Sequence, residues 1–184
     1  MSRGRIEVIT GCMFSGKSSE LVRRLRRAQI ARRGVVVVKH ASDDRYDARA
    51  ICSHNGSKLE AVPAQTVQDI ERAVRATLGC EVVGIDEAQF YGDELVILCE
   101  ELANNGDGVR VIVAGLEQDS DAKPFGPIPA LMVVAEEVTK LSAVCVVCGE
   151  PATRSYHKAG KAEQVEVGAA QYEARCRHCW LDGR

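Results

Sequence analysis

The sequence predicts an α/β fold, with a mainly parallel sheet flanked by helices over residues 1–141 and a small zinc-binding module over residues 142–184. Apolar runs typical of buried strands alternate with segments of helical period as far as Leu141, as in parallel sheets covered on both faces. A glycine-bearing signature follows the first apolar run directly, and two C-x-x-C pairs appear after the alternation stops. These three observations predict one nucleotide-binding domain with a small appended module.

Length and composition fit this organisation and exclude several classes of protein. A chain of 184 residues can bury one sizeable core but has no room for a second large domain. No apolar run approaches the length of a membrane span, and the short N-terminus leaves no room for a signal peptide, so a cytoplasmic location is expected. Because the net charge of -2 gives no basic field, neither nucleic acid nor a membrane is an expected partner.

A phosphate-binding loop is predicted at residues 11–18, which read G-x-x-x-x-G-K-S. A strand over residues 6–10 precedes it and a helix opens near Lys17, so the N-H groups of the turn converge at a positive helix terminus. By the physics of this motif, Lys17 reaches the β- and γ-phosphates of ATP, and Ser18 holds the Mg²⁺ that bridges them. The predicted ATP-binding residues here are Gly11, Cys12, Met13, Phe14, Ser15, Gly16, Lys17, Ser18 and Ser19.

The first helix is predicted over residues 19–33 and is expected to end at Gly34. One side carries Leu21, Val22, Leu25, Ala28 and Gln29, and the other sides carry Arg23, Arg24, Arg26 and Arg27. The arginines predict a solvated outer face, with a nucleic-acid patch as the alternative. The four valines at 35–38 then predict a parallel strand buried on both faces.

A polar segment follows the valine strand, where α/β sheets place ligand loops. Asp43 and Arg45 in this segment are predicted to face the phosphates and Mg²⁺, and an exposed ion pair is the alternative. Residues 57–62 predict a short strand. Residues 66–78 predict a helix that Thr66 caps, with an acidic partner three residues on.

The second half of the nucleotide site is predicted where the apolar strand at 81–85 ends in Asp86 and Glu87. In phosphate-loop sites an aspartate at such a strand end holds the Mg²⁺ shell, and the next carboxylate lies near the attacking group. Asp86 is therefore the predicted magnesium-side residue, and Glu87 is the candidate general base. The alternative is a strand end with solvated carboxylates.

The rest of the sheet domain continues the same alternation. Helices are predicted over residues 93–104 and 128–136, and strands over 109–114 and 138–141. Between them, residues 115–126 form a long polar loop broken by proline and glycine. Such a loop is a natural contact for a second substrate.

Four cysteines with metal-ligand spacing define the C-terminal module. Each C-x-x-C pair can hold one side of a tetrahedral Zn²⁺, and an all-cysteine set leaves no open position for catalytic water, which predicts a structural site. The predicted zinc ligands are Cys145, Cys148, Cys176 and Cys179. His178 lies inside the second pair and is interpreted as a bystander. The remaining cysteines are expected to be small buried or half-buried residues, namely Cys12, Cys52, Cys80 and Cys99.

The segment between the two pairs, residues 149–175, is longer than an ordinary zinc-ribbon spacer. Zinc would tie its ends together, so it is predicted to form a tethered lid over the phosphate site, with Tyr172 able to cover a ligand. The rival interpretation is an independent zinc module that binds nucleic acid, for which basic residues are present but stacking aromatic groups are few.

These parts, in this order, resemble the type II thymidine kinases, the zinc-containing family of bacteria and animals. The resemblance covers nearly the whole chain. It rests on residues 13–18, Lys39, the D-x-R-Y segment at 43–46, residues 85–90 and 123–126, both cysteine pairs, and residues 167–168 with Tyr172.

The resemblance implies a P-loop NTPase-like fold with a lasso loop tied by zinc. It also implies transfer of the ATP γ-phosphate to the 5′-hydroxyl of thymidine, giving dTMP for DNA precursor synthesis, with Glu87 accepting the hydroxyl proton. Relatives are commonly homotetramers inhibited by dTTP. The nucleoside contacts that it implies are Met13, Gln89, Phe90, Leu116, Phe125, Ser155, Val165, Val167, Gly168 and Tyr172.

Three positions depart from the family pattern. Cys12 replaces a frequent proline, while Glu117 and Ser120 stand where relatives usually have aspartate and an aromatic residue. Loss of an aromatic wall removes contact area, so thymidine is expected to bind more weakly than in relatives. Two other functions remain open from the residues alone, a nucleic-acid-dependent ATPase with a zinc module and a nucleotide-binding regulator without catalysis.

Overall fold

A computed structural model describes residues 4–42, 50–52, 58–106, 108–159 and 169–183. Its helices are α1 Lys17–Ile30, α2 Val67–Ala76, α3 Glu94–Asn104, α4 Ile128–Val134 and α5 Arg177–Asp182. Its strands are β1 Arg5–Gly11, β2 Gly34–His40, β3 Ala50–Cys52, β4 Lys58–Glu60, β5 Val62–Ala64, β6 Cys80–Asp86, β7 Arg110–Gly115, β8 Glu137–Leu141, β9 Ala143–Val144, β10 Pro151–Ala152, β11 Arg154–His157 and β12 Tyr172–Arg175.

Within these ranges a central sheet of six parallel strands has the order β5-β2-β6-β7-β1-β8. The predicted mainly parallel α/β sheet is confirmed. Because all six strands run the same way, the chain leaves β1, β6 and β7 at one edge of the sheet. The register aligns Thr10 with Gly115 across β1 and β7, so the segments that follow these strands start side by side.

Both faces of the sheet are covered, as the valine run predicts. Successive residues of a strand point to opposite faces. Val8 packs into a cluster with residues of α2, α3 and α4, whereas its neighbour Ile9 packs into a cluster with Leu21 and Leu25 of α1. The core therefore has two layers, one on each side of the sheet, and its burial fixes the strand ends that carry the polar residues.

A buried carboxylate in β1 explains a wrong prediction for α1. Glu7 is 0% exposed and forms ion pairs at 2.7 Å with each of Arg5, Arg24 and Arg110. Arg24 is thus buried against the sheet, not on a solvated outer face. A carboxylate in the core needs paired cations, and a helix packed on the strand is placed to supply one.

The ends of several predicted elements also differ. α1 ends at Ile30 rather than at Gly34, because the chain leaves the helix through Arg32 in the left-handed region (φ 57°). Gln29, expected on the inner side, is exposed. The single strand predicted at 57–62 is wrong, since β4 pairs with β3 whereas β5 joins the central sheet. The predicted cap of α2 is confirmed, since Thr66 and Asp69 form a capping box.

The C-terminal strands form two antiparallel pairs, β9 with β10 and β11 with β12. Their small core contains Cys12 of the phosphate loop together with residues of the module, namely Ala143, Cys145, Ala152, Ala174 and Cys179. The loop and the module thus share buried surface, and a division at residue 141 stays a prediction. No helix in the described ranges has the length and apolar character that a membrane crossing requires.

Candidate functional site

The loop between β1 and α1 has the backbone that its glycines predict. Gly11 has φ 138° and Gly16, which precedes the first turn of α1, has φ 89°. A Cβ on Gly11 would lie 2.3 Å from the carbonyl oxygen of Leu141. Only glycine fits that position. The Ser15 hydroxyl is buried and has no hydrogen-bond partner among the described residues.

The Lys17 ammonium lies over this loop. Its Nζ donates a hydrogen bond to the carbonyl oxygen of Cys12 at 2.9 Å. Burial lowers the pKa of Lys17, and the negative charges of Glu87 and Asp86 oppose that effect. The predicted phosphate-binding lysine and the predicted carboxylate pair therefore belong to one electrostatic site.

β6 ends at Asp86, and Glu87 is the next residue. Burial, together with the charge of Glu87, raises the pKa of Asp86 to about 7, although a hydrogen bond from Ser18 opposes the rise. Glu87 has a left-handed backbone (φ 54°). Its N-H donates to Asp86 Oδ1 at 3.0 Å.

Gln89 connects Glu87 to the segment after β7. Its Nε2 donates to Glu87 Oε2 at 2.7 Å, and its Oε1 accepts the N-H of Leu116 at 3.1 Å. The side chain is buried, at 2% exposure. Sequence reasoning placed Gln89 among the nucleoside contacts; its described bonds are to the candidate base and to the backbone, and the nucleoside contact stays a prediction.

Aromatic rings stand beside the carboxylates. Phe90 meets Phe125 edge to face, with ring centroids 6.0 Å apart, and lies 5.5 Å from the ring of His40. His40 was not singled out from the sequence, because the pairing of β2 with β6 brings it here. The Phe90 and Phe125 rings form an aromatic wall. It begins three residues after Glu87 in the chain and suits the flat face of a base.

Glu117 is the buried residue that sequence reasoning undervalued. Its Oε2 accepts from Thr10 Oγ1 at 2.7 Å and from the N-H of Gly11 at 2.9 Å. The N-H of Gly11 is thereby engaged within the protein. The role of Gly11 as an ATP contact stays a prediction. The loop requires the left-handed backbone conformation that Gly11 adopts.

The C-terminal module contacts the loop directly. Met13 donates its N-H to Ser155 Oγ at 3.0 Å, so these two predicted nucleoside contacts lie together. Tyr172 packs against His157, with centroids 5.0 Å apart. Outside the described residues lie Asp43, Arg45 and Tyr46 of the polar segment, and Val165, Val167 and Gly168 of the predicted lid.

The four predicted zinc ligands form one cluster. The sulfur atoms of Cys145, Cys148, Cys176 and Cys179 all lie within 4.8 Å of one another. The Cys148 and Cys176 sulfurs are 3.7 Å apart. Two sulfur ligands of a tetrahedral zinc site with four thiolates are about 3.8 Å apart, which is close to this distance. The donor set therefore fits a metal that prefers thiolates.

The other cysteines and His178 behave largely as expected. Cys12 and Cys99 are buried and Cys80 is half-buried, and the Cys12 thiol donates to the carbonyl oxygen of Ala152 at 3.2 Å. His178 lies 3.3 Å from Asp182 and is not part of the cysteine cluster found among the described residues.

Comparison with known proteins agrees with this geometry. A family model described as "Thymidine kinase" matches residues 4–180. The thymidine kinase of Bacteroides thetaiotaomicron is 46% identical over 183 residues, which are 99% of this chain and 89% of the relative. That of Bdellovibrio bacteriovorus is 49% identical over 96% of this chain and 85% of the relative. That of Rhodothermus sp. is 50% identical over 100% of this chain and 84% of the relative.

These matches run through the phosphate loop, the Asp86–Glu87 strand end and the four cysteines in one alignment of almost the whole chain. Identity of this level over this length is far above what a shared fold alone produces. The chain belongs to the thymidine kinase family.

Proposed function

We propose that the protein is a thymidine kinase, which transfers the γ-phosphate of ATP to the 5′-hydroxyl of thymidine and yields dTMP and ADP. Family membership supports the reaction. The observation that carries it in this chain is the meeting of the phosphate loop, the Asp86–Glu87 pair and the Phe90–Phe125 rings at one sheet edge. A donor site and an acceptor site thus lie next to each other.

ATP binds at the loop between β1 and α1. The backbone N-H groups of the loop and the N-terminus of α1 attract phosphate oxygens, and Lys17 adds a positive charge. Asp43 and Arg45 are proposed to act on the same phosphates. Ser18 and Asp86 would hold Mg²⁺, since their hydroxyl and carboxylate oxygens are ligands that this ion prefers. When bound, Mg²⁺ neutralises charge on the β- and γ-phosphate oxygens.

Glu87 is the proposed general base. The 5′-hydroxyl oxygen of thymidine forms a bond to the γ-phosphorus, the bond from that phosphorus to the bridging oxygen of ADP breaks, and the hydroxyl proton passes to the Glu87 carboxylate. Gln89 donates to one oxygen of this carboxylate at 2.7 Å and so orients it for proton transfer. Lys17 stabilises the charge that moves onto the leaving oxygen.

The nucleoside is proposed to lie between the aromatic wall and the module. Phe90, Phe125 and Met13 supply apolar surface, and Leu116 and Ser155 flank it. The segment with Val165, Val167, Gly168 and Tyr172 is proposed to cover the base. Zinc on the four cysteines ties the ends of this segment, a structural role for which the all-thiolate set is suited. We also propose that the protein is cytoplasmic, forms a homotetramer and is inhibited by dTTP.

The test is product formation with a panel of nucleosides. Purified protein, ATP and Mg²⁺ are incubated with thymidine, deoxyuridine, deoxycytidine and deoxyadenosine, and the monophosphates are separated and counted. We expect dTMP as the main product. DNA-stimulated hydrolysis of ATP, without formation of any nucleoside monophosphate, would instead favour a nucleic-acid-dependent ATPase.

A variant series assigns the base. Glu87→Gln is expected to lower kcat by at least about 100-fold, because general-base catalysis contributes at this scale, while ATP still binds. Glu81→Gln is the matched control, since Glu81 is an exposed carboxylate of the same strand that pairs with Arg33. A Glu87→Gln enzyme that forms dTMP at near the normal rate would show that another group takes the proton.

A further inference from the structure

Glu117 is a buried carboxylate surrounded by hydrogen-bond donors. It follows β7 by two residues and is 8% exposed. Oε2 accepts from the Thr10 hydroxyl and from the N-H of Gly11. Oε1 lies 3.2 Å from Gln118 Nε2 and 3.1 Å from Lys140 Nζ. Its two oxygens thus face four donors, on β1, on β8 and on its own loop.

The Thr10 hydroxyl also lies 3.0 Å from the carbonyl oxygen of Gly115, and an ionised carboxylate can accept from this hydroxyl and from the other three donors together. It accepts at both oxygens and donates nothing, whereas a glutamine would turn an NH₂ group toward one pair of donors. The charge is maintained because hydrogen bonds from Thr10 and Lys140 outweigh burial and hold the pKa of Glu117 below its usual range. The site is therefore built for a negative charge, although it lies in the neighbourhood of the loop that is to bind a triphosphate.

The position of these bonds explains why a negative charge is retained there. Gly11 is the first residue of the phosphate loop and holds a left-handed backbone with φ 138°. Few conformations of a short loop present its N-H groups to one point, and glycine itself favours none of them. A bond from the Gly11 N-H to a rigid acceptor removes that freedom at the residue where the loop leaves the sheet.

The same segment also joins the loop to the second substrate site and to the module. The carbonyl oxygen of Glu117 accepts the N-H of Phe125 at 3.2 Å. Gln118 Nε2, which touches the carboxylate, also donates to the carbonyl oxygen of Thr153 at 2.6 Å. Side-chain and backbone bonds of these two residues thus connect β1, the β7–α4 loop and the C-terminal module.

We propose that Glu117 is a positioning residue that fixes the start of the phosphate loop in the conformation that binds a nucleoside triphosphate. It acts through Gly11 and Thr10 and does not touch the nucleotide. The inference deepens the proposed function and rests on its assignment of the loop as the ATP site. It concerns affinity for the triphosphate and is independent of which nucleoside accepts the phosphate.

The test is the affinity of Glu117→Gln for Mg²⁺ with a non-hydrolysable ATP analogue, measured by isothermal titration calorimetry well below the melting temperature. If the loop reaches the binding conformation only about a tenth of the time, the measured Kd rises about tenfold. The matched control is Glu136→Gln. Glu136 accepts the N-H of Ile6 at 2.7 Å at the opposite end of the same strand, and its replacement is expected to leave the Kd within about twofold.

A conservative variant and a partner variant separate positioning from mere stability. Glu117→Asp keeps a charged acceptor and is expected to recover most of the lost affinity. Thr10→Val removes one donor without changing the side-chain shape much and is expected to raise the Kd about threefold; it also serves if Glu117→Gln does not fold. A structural role alone predicts lower melting temperatures with an unchanged Kd, and that result in both Glu117→Gln and Thr10→Val overturns the inference. An aspartate variant as weak as the glutamine variant also overturns it.

Failure of this inference differs from failure of the proposed function. If the unaltered protein makes dTMP and Glu117→Gln binds the analogue normally, the kinase proposal stands and the positioning role is wrong. If the unaltered protein binds the analogue but phosphorylates no nucleoside, the kinase proposal is wrong while the affinities of the variants still decide the role of Glu117.

Discussion

Replacing Gln89 by leucine removes two hydrogen bonds while nearly preserving the volume of the side chain. The first bond orients the candidate base, from Gln89 Nε2 to Glu87 Oε2 at 2.7 Å. The second satisfies the N-H of Leu116 at 3.1 Å. Because Gln89 is only 2% exposed, water does not replace either bond readily, and the two losses have different consequences that can be measured separately.

The magnitudes follow from the two partners. A buried N-H left without an acceptor costs about 1–3 kcal/mol of folding free energy, which is the expected loss from Leu116. The Glu87 carboxylate loses the hydrogen bond from Gln89, and misplacement of a reacting group by about 1 Å lowers turnover on the order of 100-fold. We therefore expect a kcat reduced 10- to 100-fold, with KM for ATP little changed, because the phosphate loop is untouched.

Steady-state kinetics with each substrate varied, together with guanidinium unfolding, measure both effects. The control is Gln68→Leu, the same replacement at an exposed position of α2, which is expected to change neither kcat nor stability appreciably. A Gln89→Leu enzyme that loses stability but retains kcat within about twofold would refute the view that this bond positions Glu87 for catalysis.

Two further predictions concern stability. Burial alone would raise the pKa of Glu7, but hydrogen bonds from Arg110 and Arg24 lower it below 4.5. The stability that ionised Glu7 contributes to the folded protein is therefore complete above the unfolded-state pKa of Glu7. It is lost as the pH falls through the lower folded-state pKa. Urea unfolding gives the fall in unfolding free energy between about pH 7 and about pH 3, which should be smaller for Glu7→Gln than for the unaltered protein. An equal fall in both proteins would contradict this prediction. Removal of zinc by a chelator is expected to unfold the module, since such sites contribute on the order of 10 kcal/mol, and to weaken binding of the ATP analogue, because Met13 bonds to Ser155 of the module. Circular dichroism measures the unfolding, and calorimetry measures the affinity for the analogue. An unchanged affinity after metal loss would contradict the coupling between the module and the phosphate loop.

Local chemistry made much of this site predictable. Gly11 and Gly16 occupy backbone conformations that glycine favours, and the signature that contains them requires such a turn. Asp86 is at the end of an apolar strand, as the sequence predicted, and its magnesium role stays a prediction. The cysteine spacing likewise predicted a four-sulfur cluster. In each case the residues that define the feature are close together in the chain or repeat a short pattern.

The buried cation of α1 was not predictable in that way. Helical period placed Arg24 with the other arginines, because charged residues usually face water. Its burial depends on Glu7, which lies in a run that reads as an apolar strand and is separated from Arg24 by 17 positions. A carboxylate within a strand covered on both faces does call for a cation. Nothing in the local pattern says that the cations are Arg5, Arg24 and Arg110, which lie on β1, α1 and β7.

Glu117 shows the same limit at the functional site. Its bonds to Thr10 and Gly11 span 107 and 106 positions and exist because β1 and β7 are neighbours with Thr10 aligned to Gly115. A shift of that register by one residue would turn the carboxylate away from the loop. Motifs identify the groups that touch phosphate, metal or nucleoside, because chemistry constrains their type and spacing. The groups that hold these motifs in place are selected by strand order and register, so they become visible only when the sheet is assembled.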